Sequence, residues 1–191
     1  MSITSILAGK TAKLITRNKR REEIEIKKLH IGIEIFLNNI NKVICIIILS
    51  SLFNILPEMI IILTSFSILR RFSFGIHANS SLLCTAITFI LFLFGVLISK
   101  SVFINSGSVF LCYSIILLII YKYAPGDTVK LPIPDQNMRK GLRDKSIAVC
   151  VICLLVTNVI GDQVIKQLIL MGLTLEAVSI MPITYKLMKR R

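Results

Sequence analysis

A histidine and a cysteine seven residues apart, His77 and Cys84, stand in the stretch RRFSFGIHANSSLLC between two apolar segments. An imidazole that reaches a thiol takes its proton, leaves a nucleophilic thiolate, and can return the proton to a leaving amine. The gap allows contact in two ways. Positions i and i+7 face the same side of a continuous helix, and a loop at Gly75 would instead fold the imidazole over the start of a helix. Asn79, Ser80 and Ser81 are N-cap residue types set just before an apolar run, which predicts Cys84 in the first turn of a helix. Unpaired N–H groups and the positive end of the helix dipole would favour the thiolate there, as would Arg70 and Arg71. The same N–H groups suit an oxyanion on a bound carbonyl. No spacing selects a third, orienting residue among Asn79, Asp135, Gln136 and Asp144. Two rival readings remain. A zinc site needs about four ligands, and His77, Cys84, His30 and scattered acids lack ligand spacing. A structural histidine beside an unrelated cysteine is equally compatible with the composition.

The remaining cysteines carry less. Cys150 and Cys153 form C-x-x-C inside IAVCVICLLV, where nothing polar would stabilise a thiolate, so they read as small apolar residues. Cys45 and Cys112, also within apolar runs, read the same way. Five cysteines do not suggest a disulfide framework.

What must position the pair is a set of apolar segments. The chain has 191 residues, 54% of them hydrophobic, with a net charge of +13 and a mean hydropathy of +0.80. Long Ile/Leu/Phe runs joined by short basic connections predict an all-α polytopic membrane protein. Lys10 and Lys13 interrupt the first apolar residues, so no cleavable signal is expected. Residues 1–34 form a basic arm. Ile3, Leu7 and Leu14 make a helical stripe flanked by Lys10, Lys13 and Arg17, suited to an anionic membrane surface or to a solvated tail. EIEIKKLHIGIEIF alternates briefly like a strand, but a lone strand beside a membrane has no pairing partner, so helix is expected.

Six apolar segments follow, at roughly 35–56, 58–69, 81–99, 102–121, 146–161 and 164–185. Six crossings place both termini on one side. The loops of that side (1–42, 70–80, 122–145, 186–191) hold 21 of the 23 Lys/Arg, and only Lys100 and Lys166 lie opposite. The positive-inside rule then makes the termini cytoplasmic. The expectation is a single integral domain over 1–191. It has a cytoplasmic arm (1–34), membrane helices (35–185) and a basic cytoplasmic loop (122–145), with His77 and Cys84 at the cytoplasmic membrane edge.

The sequence resembles the accessory gene regulator B family, bacterial membrane cysteine endopeptidases that mature a quorum-sensing peptide. RRFSFGIHANSSLLC is similar to the family's Arg…Gly-Gly-x-His-Ala…Cys pattern, and YKYAPGDTVKLPIP (Tyr121 to Pro134) to its Tyr-Ala-Pro-x-Asp-Thr…Pro-Ile loop. The resemblance implies that His77 and Cys84 are the catalytic pair and that Arg70 and Gly75 shape the site. One departure stands out: the Gly-Gly doublet is Phe74-Gly75. If the first glycine serves a positive φ, Phe74 is strained there, and an altered loop is expected.

The implied substrate is a short autoinducing-peptide precursor with an acidic C-terminal tail, cleaved through a thioester on Cys84 and cyclised to a thiolactone. The loop 122–145 fits such a tail. Lys122, Lys130, Arg139, Lys140, Arg143 and Lys145 stand there against Asp127, Asp135 and Asp144. The same charges also suit topology and anionic lipid. Arg70, Arg71, Gly75, Lys130, Arg139, Lys140 and Arg143 are thus candidates for binding or shaping. No cofactor, metal or nucleic acid is expected. A homodimer is compatible, but no G-x-x-x-G pattern locates its interface. The alternative is a small non-enzymatic permease or peptide-export subunit, with Glu176, Glu58 and Asp162 as its ionisable groups. Glu176 reads better as paired with a neighbour or near an interface. A scaffold that presents the precursor to another protease is a third class.

Overall fold

A computed structural model describes residues 6, 9, 11, 23–75, 81–102, 104–126 and 135–184. Of residues 23, 24, 27, 28, 81–84 and 106 it describes the backbone alone. The described chain is all-α: α1 (Glu23–Leu52), α2 (Leu56–Ser73), α3 (Ser81–Ser101), α4 (Ser106–Tyr123), α5 (Gln136–Val159) and α6 (Gln163–Ser179). Two compact units, Met1–Leu49 and Ser50–Arg191, divide within α1. The alternating stretch at the start of α1 is helical, which satisfies its backbone groups internally.

Local chemistry sets the helix ends. Pro57 sits in the first turn of α2, where its missing N–H costs nothing. The Asn105 side chain accepts from the Ser108 N–H at 2.8 Å and caps α4. Asp135 accepts from the Asn137 N–H at 3.0 Å at the start of α5. Asp162 accepts from Val164 and Ile165 N–H at 2.7 and 3.1 Å and starts α6. Each cap satisfies N–H groups that a helix leaves orphaned.

The six apolar segments correspond to six helices, but the six crossings do not follow. Among the described residues one helix is long and apolar enough to span a membrane: Leu29–Leu52, 24 residues of mean hydropathy 1.8. The apolar parts of α3 and α4 are shorter helices, Thr85–Ser101 and Gly107–Tyr123, against the ~20 residues a crossing takes. In the others, charges enter the helices themselves. α2 holds Glu58, Arg70 and Arg71 within 18 residues, and α6 holds Lys166 and Glu176 within 17. The first ten residues of α5 carry Arg139, Lys140, Arg143, Asp144 and Lys145. The multi-pass placement, with its cytoplasmic active site, falls with the six crossings. The outward sides of α3 and α4 are nonetheless apolar, with Ile90, Leu91, Phe94, Phe110, Leu111 and Leu118 all exposed, in keeping with membrane association.

Within the second unit, α2 and α6 pack most closely. A Cβ added at Gly172 of α6 would lie 2.7 Å from the Ile62 carbonyl oxygen and 2.8 Å from Ser65 Cβ. The missing side chain therefore lets the two backbones touch. Further along both helices Glu176 meets Arg70 and Ser73, so α2 and α6 run parallel. Leu69 of α2, Tyr113, Ile116 and Ile120 of α4, Cys150 of α5, and Leu173 and Ala177 of α6 share one core. Each large apolar side chain buried there contributes about 1.5–3 kcal/mol. Phe66 and Phe92 meet edge to face, with centroids 5.2 Å apart, and join α2 to α3. The buried Tyr113 hydroxyl is hydrogen-bonded to Thr157 Oγ1 at 2.7 Å, which removes the cost of an unpaired polar group.

Candidate active site

The last turn of α2 is held by a buried carboxylate. Glu176 is fully buried. Its Oε2 accepts from Arg70 Nη1 at 3.0 Å and from Ser179 Oγ at 2.9 Å, and its Oε1 accepts from Ser73 Oγ at 2.5 Å. A buried carboxylate survives only with such partners. Arg70 also lies over the Phe66 ring, 5.3 Å from its centroid, a cation–π contact that adds to its fixation.

From this anchored turn the chain leaves through two unusual residues. Phe74 has φ 56° and ψ −143°, and Gly75 has φ 136°. The Phe74 N–H still donates to the Arg70 carbonyl at 3.0 Å, which closes the helix. Gly75 is fitted tightly. A Cβ there would stand 2.7 Å from Ser179 Oγ, 3.2 Å from Arg70 Nη1 and 3.3 Å from Glu176 Oε1. The Gly126 N–H donates to the Ser73 carbonyl at 2.7 Å, and Phe74 pairs with Gly126 in a single parallel bridge. The exit of α2 is thus tied to the segment after α4. Arg143 ties α5 to the same segment: its Nε donates to the Ala124 carbonyl at 3.2 Å, and its guanidinium lies 5.8 Å from the Tyr121 ring centroid.

Beyond Gly75 the chain leads to His77, which lies outside the described residues. The helix that follows starts at Ser81, so Cys84 falls in the first turn of α3. The N–H groups of that turn have no intrahelical acceptor, and the dipole places partial positive charge there.

Of the other residues singled out in the sequence, Arg71 is exposed at the end of α2, and Lys130 lies outside the described residues. Arg139 is half-buried and Lys140 exposed, both near the start of α5. The structure brings Arg70 and Gly75 together, adds Ser73 and Ser179, and makes Glu176 their common partner. Sequence reasoning paired Glu176 with no named residue; its one signal was a lone carboxylate in an apolar run. The C-x-x-C pair is a packing feature. Cys150 is buried, and burial pushes its thiol up to about 12. Burial raises the Cys153 thiol as well.

With this geometry in view, the model of the family described as accessory gene regulator B matches residues 8–180. The chain belongs to the accessory gene regulator B family. It is similar to an AgrB-like protein of Clostridium acetobutylicum, 33% identical over 190 residues, covering 100% of this chain and 91% of that one. An AgrB-like protein of Listeria monocytogenes is 31% identical over 179 residues, 93% of this chain and 88% of that one. The accessory gene regulator protein B of Staphylococcus haemolyticus is 30% identical over 172 residues, 90% of each. No solved structure matches the chain. As an accessory gene regulator B protein it is a membrane-associated component of quorum-sensing processing.

Proposed function

We propose that this chain is a cysteine endopeptidase that removes the C-terminal tail of an autoinducing-peptide precursor and promotes closure of a thiolactone. The observation that carries the reading is Cys84 in the first turn of α3, reached from the tightly held Arg70–Gly75 exit of α2 that leads to His77. Family membership supports the same chemistry.

His77 takes the proton of Cys84, and the sulfur attacks a peptide carbonyl of the precursor. The C–N bond breaks, and the imidazolium protonates the departing amine, so the tail leaves and a thioester remains on Cys84. Free N–H groups of the α3 first turn stabilise the oxyanion. A thiol within the precursor, deprotonated as it attacks, then adds to the thioester carbonyl. The bond to Cys84 breaks, and the thiol returns to its resting state as the ring closes. One thioester replaces another, so the acyl group stays activated. The first step, amide to thioester, is uphill, and loss of the tail pulls it forward. Holding the substrate thiol beside the acyl carbon lets it outrun water. The precursor's acidic tail is the partner of Arg139 and Lys140 at the start of α5 and of Lys130. Anionic lipid is the partner of the basic arm.

The test is tail release from a co-expressed precursor, read by mass, in membranes carrying Cys84→Ser, His77→Ala or Cys150→Ser. Cys84→Ser and His77→Ala abolish release, while Cys150→Ser leaves it intact. Release that survives in Cys84→Ser overturns the proposal.

A further inference from the structure

We propose that Glu176 is a positioning residue for the His77–Cys84 pair, acting through Arg70 and Ser73. The inference rests on the endopeptidase reading and names a residue on α6, remote in sequence from both members of the pair. Its two oxygens divide the work. Oε2 takes Arg70 and Ser179, and Oε1 takes Ser73. Arg70 and Ser73 lie on the last turn of α2, four residues and one residue before Phe74 and only a few before His77. Gly75 has no side chain where one would strike Ser179, Arg70 and Glu176 together. The carboxylate therefore fixes both the end of α2 and the direction in which the chain leaves towards His77. Both oxygens act as acceptors, a role only a carboxylate fills. An amide at this position has a single oxygen: with that oxygen on Arg70, its nitrogen has to donate to Ser73 Oγ, which reverses the Ser73 hydrogen bond, and the negative charge that pairs with Arg70 is lost.

The readout is alkylation of Cys84 by iodoacetamide in membranes carrying the full chain. Rates are measured by peptide mass at several pH values and normalised to N-acetylcysteine in the same tube. An unassisted thiol is only a few per cent thiolate at neutral pH, and pairing with imidazole raises that fraction. Glu176→Gln is expected to slow Cys84 at pH 7 about five-fold or more, towards the His77→Ala rate, and to converge with the native chain above pH ~9.5, where any thiol ionises unaided. Cys150, fully buried, reports folding and stays unlabelled.

If His77→Ala slows Cys84 but Glu176→Gln reacts at the native rate, the positioning role is overturned and the endopeptidase reading stands. If His77→Ala leaves Cys84 unchanged, the pair itself is overturned. If Glu176→Gln exposes Cys150, Ser73→Ala decides, because it removes one hydrogen bond and keeps the ion pair. A two- to three-fold slowing there (roughly the loss of one such bond) with Cys150 still protected sustains the role, and a native rate ends it.

Discussion

At Phe74 an L-residue holds a backbone conformation that glycine adopts freely, φ 56° with ψ −143°, and such positions cost about 1–3 kcal/mol. The family's first glycine belongs at this point, so the strain anticipated from Phe74-Gly75 is present, and the helix end and the Gly126 contact hold it in place. Comparing Phe74→Gly with Phe74→Ala removes the ring from both and isolates the backbone. Glycine is expected to be the more stable by about 1 kcal/mol, or roughly 2–4 °C in melting temperature for a chain of this size. Equal melting temperatures would show that Phe74 is unstrained. Gly75→Ala adds a Cβ 2.7 Å from Ser179 Oγ at φ 136°. It is expected to destabilise by about 1–3 kcal/mol and to reduce tail release more than Arg71→Ala does. The need for glycine at 75 was legible from the motif. The partners that crowd it were not, because Ser179 and Glu176 arrive from a helix a hundred residues later.

The element that decides the site is the parallel pair α2 and α6, and its contact depends on Gly172. Gly172→Leu forces a side chain onto the Ile62 carbonyl and Ser65 and should cost about 1–3 kcal/mol, with Cys150 becoming open to alkylation as the core loosens. A Cys150 that stays unreactive, with melting unchanged, would rule out backbone contact as the basis of the pairing. Glu58 of α2 forms an ion pair with Lys100 at the end of α3, 2.5 Å apart. The hydrogen bond from Lys100 holds the Glu58 carboxyl below the usual carboxylate range. Its contribution is therefore present above pH ~4.5 and fades as pH falls through the depressed value. The pair is partly exposed, so Glu58→Gln should flatten the acid side of the stability profile by less than ~1 kcal/mol. Helix starts at Asn105, Asp135 and Asp162 could be read locally, since each cap lies within three residues of the N–H groups it serves. The choice of α6 as the neighbour of α2 could not, because close backbone approach depends on what each helix lacks as much as on what it carries.

At the scale of the whole molecule, α1 is the one helix among the described residues with the length and apolarity to cross a membrane. A further charge in its apolar half, Ile44→Lys beside the native Lys42, should cost about 2 kcal/mol or more on insertion. The measurement is the fraction of an α1 reporter fusion that resists alkaline extraction, and an unchanged fraction would show that α1 is not the anchor. The sequence by itself determined the all-α class, the approximate places of the six helices described between residues 23 and 179, and the packing role of Cys150 and Cys153. These follow from periodicity, capping chemistry and residue type, all of which act over a few positions. Only the tertiary structure decided that Arg70 is held by Glu176, that Gly75 is enclosed by α6, and that the apolar runs, among the described residues, form helices mostly too short or too charged to span. Those outcomes depend on where charges fall along each finished helix and on contacts between segments about a hundred residues apart, which no local pattern records.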